Sequence, residues 1–475
     1  MYLAILVRQL VFKNAYQEQM IAQLAEQLSF LDAVQVIMPG DSLYPQARLV
    51  YNRMHDVMPL LIVRTLNIKA LRLVISFSQT NSIQLAIRGG GHHIGGFGTI
   101  HQGILVDFSS FKAITIDAKN NIASIEPGAT LADVDQCLTA AGYVLPTGTV
   151  SQTGVAGLTL GGGIGWLTGK FGLTCDNLCG ADVLLADGSL VQAESIEHKE
   201  LLWALRGGGG NFGMVFNFRY KIYPLPKTIC GMGIVKWEHA VDVLNKLMQF
   251  LQDDCPSSLT IAPIFAKNAA NEPYFRIDFC CADGTDVDLT KLISLSPQIT
   301  WNAVKAWSFV DWQKEFDDTF LPPMRGYWKA CYLEKLTPEV MVNLLHCFVC
   351  SPSKRCSILI EHLHGAFKHY DEETSAFPLR QTNFGILLSA RWESADDDAQ
   401  YIDWVRHSFA LIDPDDNSKT YINYTHADDH RAVKTLMSDT SFKLAKVKAA
   451  YDPSNFFKHN HNVSGLKSNH SPVRG

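Results

Sequence analysis

The stretch Ser82–Gly98, SIQLAIRGGGHHIGGFG, gathers the residues best suited to chemistry. An apolar run of strand length, Ile83–Ile87, breaks into Arg88, Gly89, Gly90, Gly91, His92 and His93, with Gly95, Gly96 and Gly98 following. The first three glycines lack a Cβ, so the backbone can turn sharply and a ligand can approach its N–H groups. Successive free N–H groups form a concavity suited to phosphate oxygens, here beside the fixed charge of Arg88. His92 adds a ring that is nucleophilic when neutral, and His93 a second titratable ring. The pattern alone also fits a structural turn that carries histidines, since glycine runs are common punctuation. Two more clusters weigh against that: GVAGLTLGGGIG at Gly154–Gly165 and GGGGNFG at Gly207–Gly213. None is a P-loop, and none shows the GxGxxG fingerprint in a strand–turn–helix context. Three such loops predict one long ligand touched by several of them, for which a dinucleotide with a large aromatic ring is the natural kind.

Elements of two characters must position these loops. Leu61–Ile87 reads as strand, helix (Ile68–Gln79), strand, and short β-rich runs follow: ILVDFS, AITID and IASIEPG. Leu131–Ala141 reads as a helix stopped by Gly142. A helix near Glu197–Leu205 and a strand Met214–Ile222 complete a first unit, with a boundary at PLPK, Pro224–Lys227. Upstream, Gln17–Leu31 has helical spacing. From about Thr228 to Lys419 longer strands, LTIAPIFA and YFRIDFCCA, alternate with helices at His239–Leu251 and Asp398–Leu411 and with one started by Thr337 as N-cap and Pro338. That alternation predicts an antiparallel sheet with helices on one face, and an α+β fold overall.

The 475 residues imply more than one domain. A net charge of −6 gives no reason to expect nucleic acid or an anionic membrane as partner. Eleven scattered cysteines read as reduced, mostly buried thiols, and no metal site is expected. The N-terminal apolar run lacks a basic leader and a cleavage site, and VMPLLIV stops at Arg64, short of a membrane span; the expectation is a cytoplasmic protein with secretion still open.

The runs IRGGGHHIGG, LVDFS, PTGTVSQTGVAGLTLGGGIGWLTGKFGLTCDNL and WALRGGGGNFGMV resemble the FAD-binding domain of the vanillyl-alcohol-oxidase superfamily. YINY at Tyr421–Tyr424 and YDPSNFFKHNHNV at Tyr451–Val463 resemble the C-terminal segment of its berberine-bridge-enzyme-like branch. The resemblance spans about Leu61 to Val463. It implies a FAD-binding domain over 1–226 with a motif core of about 54–226, a substrate domain over 227–419, and a C-terminal segment over 420–475 that returns to the FAD domain. It further implies that FAD is bound by Arg88, Gly89, Gly90, Gly91, His92, His93 and Gly95 of the first loop. The second region would contribute Gly148, Val150, Thr153, Gly154, Gly157, Leu158, Gly161, Gly162, Gly163 and Trp166. Asn211, Gly213 and Val215 follow, and the tail supplies Tyr421, Asn423, Asn460 and Asn462.

His92 occupies the position of the family's flavin-attached histidine, with a non-covalent hydrogen-bonding role as the alternative. Val150 stands where some relatives carry a cysteine that forms a second link, so no second link is expected; Cys175 falls at a different motif position and reads as a buried small residue. Tyr424 matches the general base of several relatives. A phenol ordinarily titrates near 10, so this role needs a nearby cation or the flavin environment to lower its pKa. Counting back from Phe377, the position of another branch's catalytic glutamate is His369, which is expected only to touch substrate. Thr153, just before Gly154, stands where relatives gate oxygen, and its hydroxyl is expected to bond to backbone. The implied activity is an oxidase moving hydride from an alcohol, a sugar or a secondary-metabolite carbinol, to FAD and then to oxygen, giving hydrogen peroxide. A small-molecule substrate and a monomer or homodimer complete the expectation. The rivals are a dehydrogenase with another acceptor and, from a different class, a nucleotide-binding transferase.

Overall fold

A computed structural model describes residues 17–463 apart from 195, 284–286, 321–323 and 439–440. Three sheets carry the architecture. The first has four strands in the order Gln35–Ile37, Leu61–Arg64, Ile104–Asp107, Leu85–Arg88, the last three mutually parallel. The helix Ile68–Thr80 makes the crossover between parallel strands; Asn67 caps it by accepting the N–H groups of Lys69 and Ala70. Its apolar face, Ala70, Leu71, Val74 and Ile75, packs with Ile21, Leu24 and Leu28 of a helix over 17–29.

The second sheet is antiparallel: Ile114–Asp117, Ile122–Ile125, Met214–Lys221, Leu178–Leu184, Leu190–Ala193. Over it lies the helix Leu131–Ala140, opened by a capping box between Thr130 and Asp133 and followed by Gly142 at φ +81°. The expected helix near 197–205 is shorter, Lys199–Leu205, and starts after His198 in the left-handed region.

The third sheet has seven antiparallel strands in the order Thr300–Trp307, Thr228–Lys236, Pro273–Cys281, Leu259–Lys267, Ser357–His362, Phe384–Trp392, Arg325–Leu333. Strand side chains alternate between faces, and the two faces differ in kind. Phe275, Ile277 and Phe279, Ile358 and Ile360, and Ile386, Leu388 and Ala390 pack under the helices Ala240–Asp253, Pro338–Val349 and Asp398–Ile412. The intervening residues Tyr274, Arg276, Ser357, Leu359, Leu387 and Arg391 face a cavity shared with the glycine loops. The sheet is therefore antiparallel with helices on one face, as its alternating pattern predicts. All eleven cysteines are free, and only Cys350 is exposed. No helix of the described residues is long and apolar enough to cross a membrane.

One buried ion pair fixes where the first glycine loop begins. Asp107, fully buried at the end of its strand, accepts from Arg88 through Nε at 3.0 Å and Nη2 at 2.6 Å, and from Arg64 Nε at 2.6 Å. Burial raises the Asp107 pKa, but the bonds and charges of Arg88 and Arg64 together outweigh it and hold the carboxyl at about 2. A folded pKa below the ordinary 3.8 means the stabilisation is present above that value and disappears as pH falls towards 2. Asp107→Asn leaves two guanidinium groups unpaired, and is expected to cost about 3–5 kcal/mol at neutral pH. Urea unfolding of both proteins between neutral pH and pH 2 checks this: the difference should shrink across the acid limb.

Candidate functional site

A cavity of about 430 Å³ lies where the three glycine loops, the tail and the large sheet meet. Its loop wall is made by close backbone approach. A Cβ on Gly89 would stand 2.6 Å from the Pro127 carbonyl oxygen, and one on Gly90 would stand 2.5 Å from Gly154 Cα. Gly154 is held there by ladder-like bonds, Leu131 N–H to the Thr153 carbonyl and Val155 N–H to the Ala129 carbonyl, both 2.9 Å. Gly157 and Gly210, by contrast, have no atom within 4 Å of where a Cβ would be, so they leave open space for a ligand.

Tyr51 N–H donates to the Gly91 carbonyl, and the Tyr51 ring stacks on His92 with centroids 4.0 Å apart. Burial, then the neighbouring His93, lower the His92 pKa to about 4, so the imidazole is neutral at physiological pH. His92 Nε2 is buried with no hydrogen-bond partner among the described residues. His93 is committed: it donates from Nε2 to the Ile422 carbonyl at 2.9 Å and accepts the Gly95 N–H on Nδ1. It therefore ties the first loop to the tail.

At the sheet wall, the Tyr424 hydroxyl donates to Glu361 Oε1 at 2.9 Å, and the Tyr332 hydroxyl donates to Oε2 at 2.7 Å. Burial pushes the Glu361 carboxyl up, with the two phenol donors opposing it. Burial, then the Glu361 charge, push the Tyr424 phenol well above its ordinary range. Of the two ways expected to lower the Tyr424 pKa, a nearby cation is not what the described residues provide; its neighbour is instead an acceptor for its proton. Tyr421 stands behind, its hydroxyl accepting the N–H of Gly163 at 2.7 Å and the amide of Asn423 at 2.8 Å.

Most of the sequence-predicted residues line this cavity: Arg88 to His93, Gly148, Val150, Thr153, Gly154, Gly157, Leu158 and Gly161, then Asn211, Gly213, Val215, Tyr421, Asn423, Tyr424 and Asn460. Several do something other than expected. The Arg88 guanidinium is not a free phosphate ligand; Asp107 and the carbonyls of Ala47 and Leu49 consume it. Asn211 gives its amide to the carbonyls of Gly208 and His461, binding the tail to the third loop. The Thr153 hydroxyl makes no hydrogen bond among the described residues, contrary to the expected backbone bond, and Thr153 lines the cavity. Six residues stand outside the lining: Gly95, Gly162, Gly163, Trp166, His369 and Asn462. Trp166 is buried one layer behind, stacked on the cavity residue Phe316 at 5.5 Å. His369 ends a short 3₁₀ turn and is exposed, so it is not a substrate-pocket residue.

Glu361 is what sequence reasoning missed. Its signal was the alternation of SILIEH, which puts Ser357, Leu359 and Glu361 on one face and the apolar Ile358 and Ile360 on the other. Cys175 is buried, its thiol pushed up by burial and by Asp176, and it lies outside the lining, whereas Val150 lies on it. Cys255, His362 and His364 also come together, their ligand atoms within 4.8 Å of one another, a grouping invisible in the sequence because 109 residues separate Cys255 from His364.

A glycine-lined cradle, a neutral histidine with an uncommitted nitrogen and a buried carboxylate–phenol pair fit a flavin dinucleotide at work on a protonic substrate. Known proteins agree. A FAD binding domain matches residues 59–194, and a berberine and berberine-like segment matches 420–464. A FAD-linked oxidoreductase of Dictyostelium discoideum is 28% identical over 86% of this chain and 90% of its own length. The crystal structure of 6-hydroxy-D-nicotine oxidase from Arthrobacter nicotinovorans superposes with a TM-score of 0.83 at 22% identity, covering 91% of this chain and 98% of the other. Xylooligosaccharide oxidase from Myceliophthora thermophila C1, in complex with xylobiose, gives 0.81 at 21% identity, covering 94% and 99%. The protein is a FAD-linked oxidoreductase of the fold shared by the vanillyl-alcohol-oxidase superfamily. Its FAD binding domain and its C-terminal segment resemble those of the berberine-bridge-enzyme-like family.

The contact between Gly90 and Gly154 makes a direct test of the cradle. Backbone, not a flexible side chain, blocks a Cβ there. Gly154→Ala is expected to lower the flavin-to-protein absorbance ratio of the purified protein several-fold, whereas Gly142→Ala, outside the cavity lining and with open space around a Cβ, should leave that ratio unchanged.

Proposed function

We propose that this protein is an oxidase that takes hydride from an alcohol carbon and passes the electrons to oxygen, releasing hydrogen peroxide. The observation that carries the reading is the Tyr424–Glu361 hydrogen bond at the cavity wall. Bound FAD supplies the hydride acceptor and the site of reoxidation. Tyr424 takes the substrate hydroxyl proton as its own proton moves to Glu361, so no free phenolate is needed. Tyr332 holds the second carboxylate oxygen and fixes the orientation of Glu361. The apolar wall formed by Ile264, Leu359, Leu387 and Phe316 excludes water from the transfer. Thr153, with a small side chain and an unbonded hydroxyl, leaves room for oxygen. Solved neighbours named as oxidases of 6-hydroxy-D-nicotine and of xylooligosaccharides support an oxidase of a small organic substrate.

Glu361 must be ionised to accept the proton. Its raised pKa means activity falls on the acid side with an apparent pKa above the ordinary 4.5. Tyr424→Phe and Glu361→Gln are each expected to slow anaerobic flavin reduction by about 10²–10⁴, and Glu361→Gln to abolish the acid limb. Stopped-flow flavin bleaching against pH, with substrates drawn from an alcohol screen, tests both. A Glu361→Gln protein as fast as its parent would mean that another group accepts the proton.

We propose further that His92 holds the flavin covalently. A neutral ring with an uncommitted nitrogen beside the cradle supports a nucleophilic role. Acid-precipitated protein is expected to keep its yellow colour, and His92→Ala to release flavin into the supernatant. Cys175→Ala should not alter attachment.

A further inference from the structure

We propose that the end of the cavity away from Tyr424 is a subsite for an anionic group, and that the substrate is an alcohol carrying a carboxylate or similar oxyanion, bound by Arg391. The proposal rests on the reading above only in taking Tyr424 as the reacting end.

Arg391 is 3% exposed and lines the cavity from the strand Phe384–Trp392. Among the described residues its guanidinium has no hydrogen bond and no carboxylate within salt-bridge reach, and its Nε is buried without an acceptor. What it touches is the face of Phe320, 4.5 Å from the ring centroid. A buried cation without a counter-charge is expensive, and native structures keep one where something else supplies the charge. The neighbouring polar atoms are unpaired in the same sense. Nε1 of Trp328, a residue 5% exposed, and the hydroxyl of Tyr51, a residue 9% exposed, are buried with no partner among the described residues. Tyr51 lies close enough to Arg391 to feel its charge. Three donors of this kind call for an acceptor-rich group, and a carboxylate meets a guanidinium through two parallel hydrogen bonds.

The charge of the whole lining points the same way. Arg88, Lys267, Arg276, Lys354 and Arg391 contribute to it, and no Asp or Glu among the described residues does. Arg88 is neutralised by Asp107, and Arg276 by Asp278 and Glu315. Lys267 donates to the Ser351 carbonyl, and Lys354 is exposed. The capacity for a new anion therefore sits on Arg391.

Its place in the sheet separates it from the reacting end. Glu361 pairs with Gly385, and Arg391 lies six residues farther along the same strand, about 20 Å of backbone, which the two long side chains shorten. Along one wall the Tyr424 ring meets Trp328 at 6.2 Å, Trp328 meets Phe320 at 6.0 Å, and Phe320 carries Arg391. An elongated, partly aromatic acid with its carbinol at Tyr424 and its carboxylate at Arg391 fits this wall.

Calorimetric titration of the purified flavoprotein at pH 7 with benzoate and with benzamide, a pair alike in shape, isolates the charge. Benzoate is expected to bind at least about tenfold more tightly. Arg391→Gln should bring the ratio to within about twofold, and Arg391→Lys should retain part of it. Flavin content and melting temperature confirm that each variant is folded. If Arg391→Gln does not fold, Trp328→Phe serves instead, and should weaken benzoate binding several-fold with little effect on benzamide. Equal binding of the two probes, no benzoate binding at tens of millimolar, or a preference that survives the variant that folds would overturn the proposal. Binding heats need no turnover, so a protein that selects benzoate but oxidises no alcohol would sink the oxidase reading and leave the subsite standing.

Discussion

Everything at the candidate site depends on two glycines whose backbones touch. Gly90 and Gly154 come from loops far apart in the chain, and their approach leaves no room for a side chain on either. That contact sets the width of the cradle. Each partner is anchored from outside the cavity. On one side the Arg88–Asp107 pair pins the start of the first loop to a buried strand end. On the other, an isolated bridge between Thr130 and Gly154 fastens the second loop to the capped helix Leu131–Ala140. The cradle is thus positioned by elements whose own stability owes nothing to the ligand, which is how a site is preorganised.

The parts legible in the sequence were those where local chemistry and fold agree. Glycine clusters announce close approach, and the three clusters do meet at one cavity. The antiparallel sheet followed from strands of period two alternating with helices. What sequence reasoning misread were residues whose role is set by a distant partner. Arg88 looked like a phosphate ligand because Asp107, which consumes its charge, stands nineteen positions away. His369 was reached by counting back through a loop and a 3₁₀ turn, where spacing carries no periodicity. Glu361 lies eight residues earlier, on a regular strand, and alternation would have pointed it inward. Trp166, within a motif full of cavity residues, packs one layer behind because Phe316 arrives from the other domain's side of the cavity.

The large sheet serves two purposes by the same alternation. One face, buried under three helices, gives rigidity through apolar packing. The other presents Ser357, Leu359, Leu387 and Arg391 to the cavity and holds Glu361 behind Tyr424. A one-residue slip of any of these strands would exchange the faces, placing Glu361 and Arg391 in the apolar core and Ile358 or Ala390 in the site. Register is therefore guarded by core burial, and the chemistry of the open face inherits its accuracy from the closed one.

Partnered and unpartnered polar atoms meet at the cavity. Asp107, Asn211 and His93 each meet partners supplied by this chain. His92 Nε2, Trp328 Nε1, the Tyr51 hydroxyl and Arg391 Nε do not. Left dry and unpaired, such groups cost about 1–3 kcal/mol each, more for a charge. His92, Trp328 and Arg391 line the cavity, and the Tyr51 ring stacks on His92. Where such an atom lines the cavity, as on His92, Trp328 and Arg391, a bound ligand can supply the missing partner.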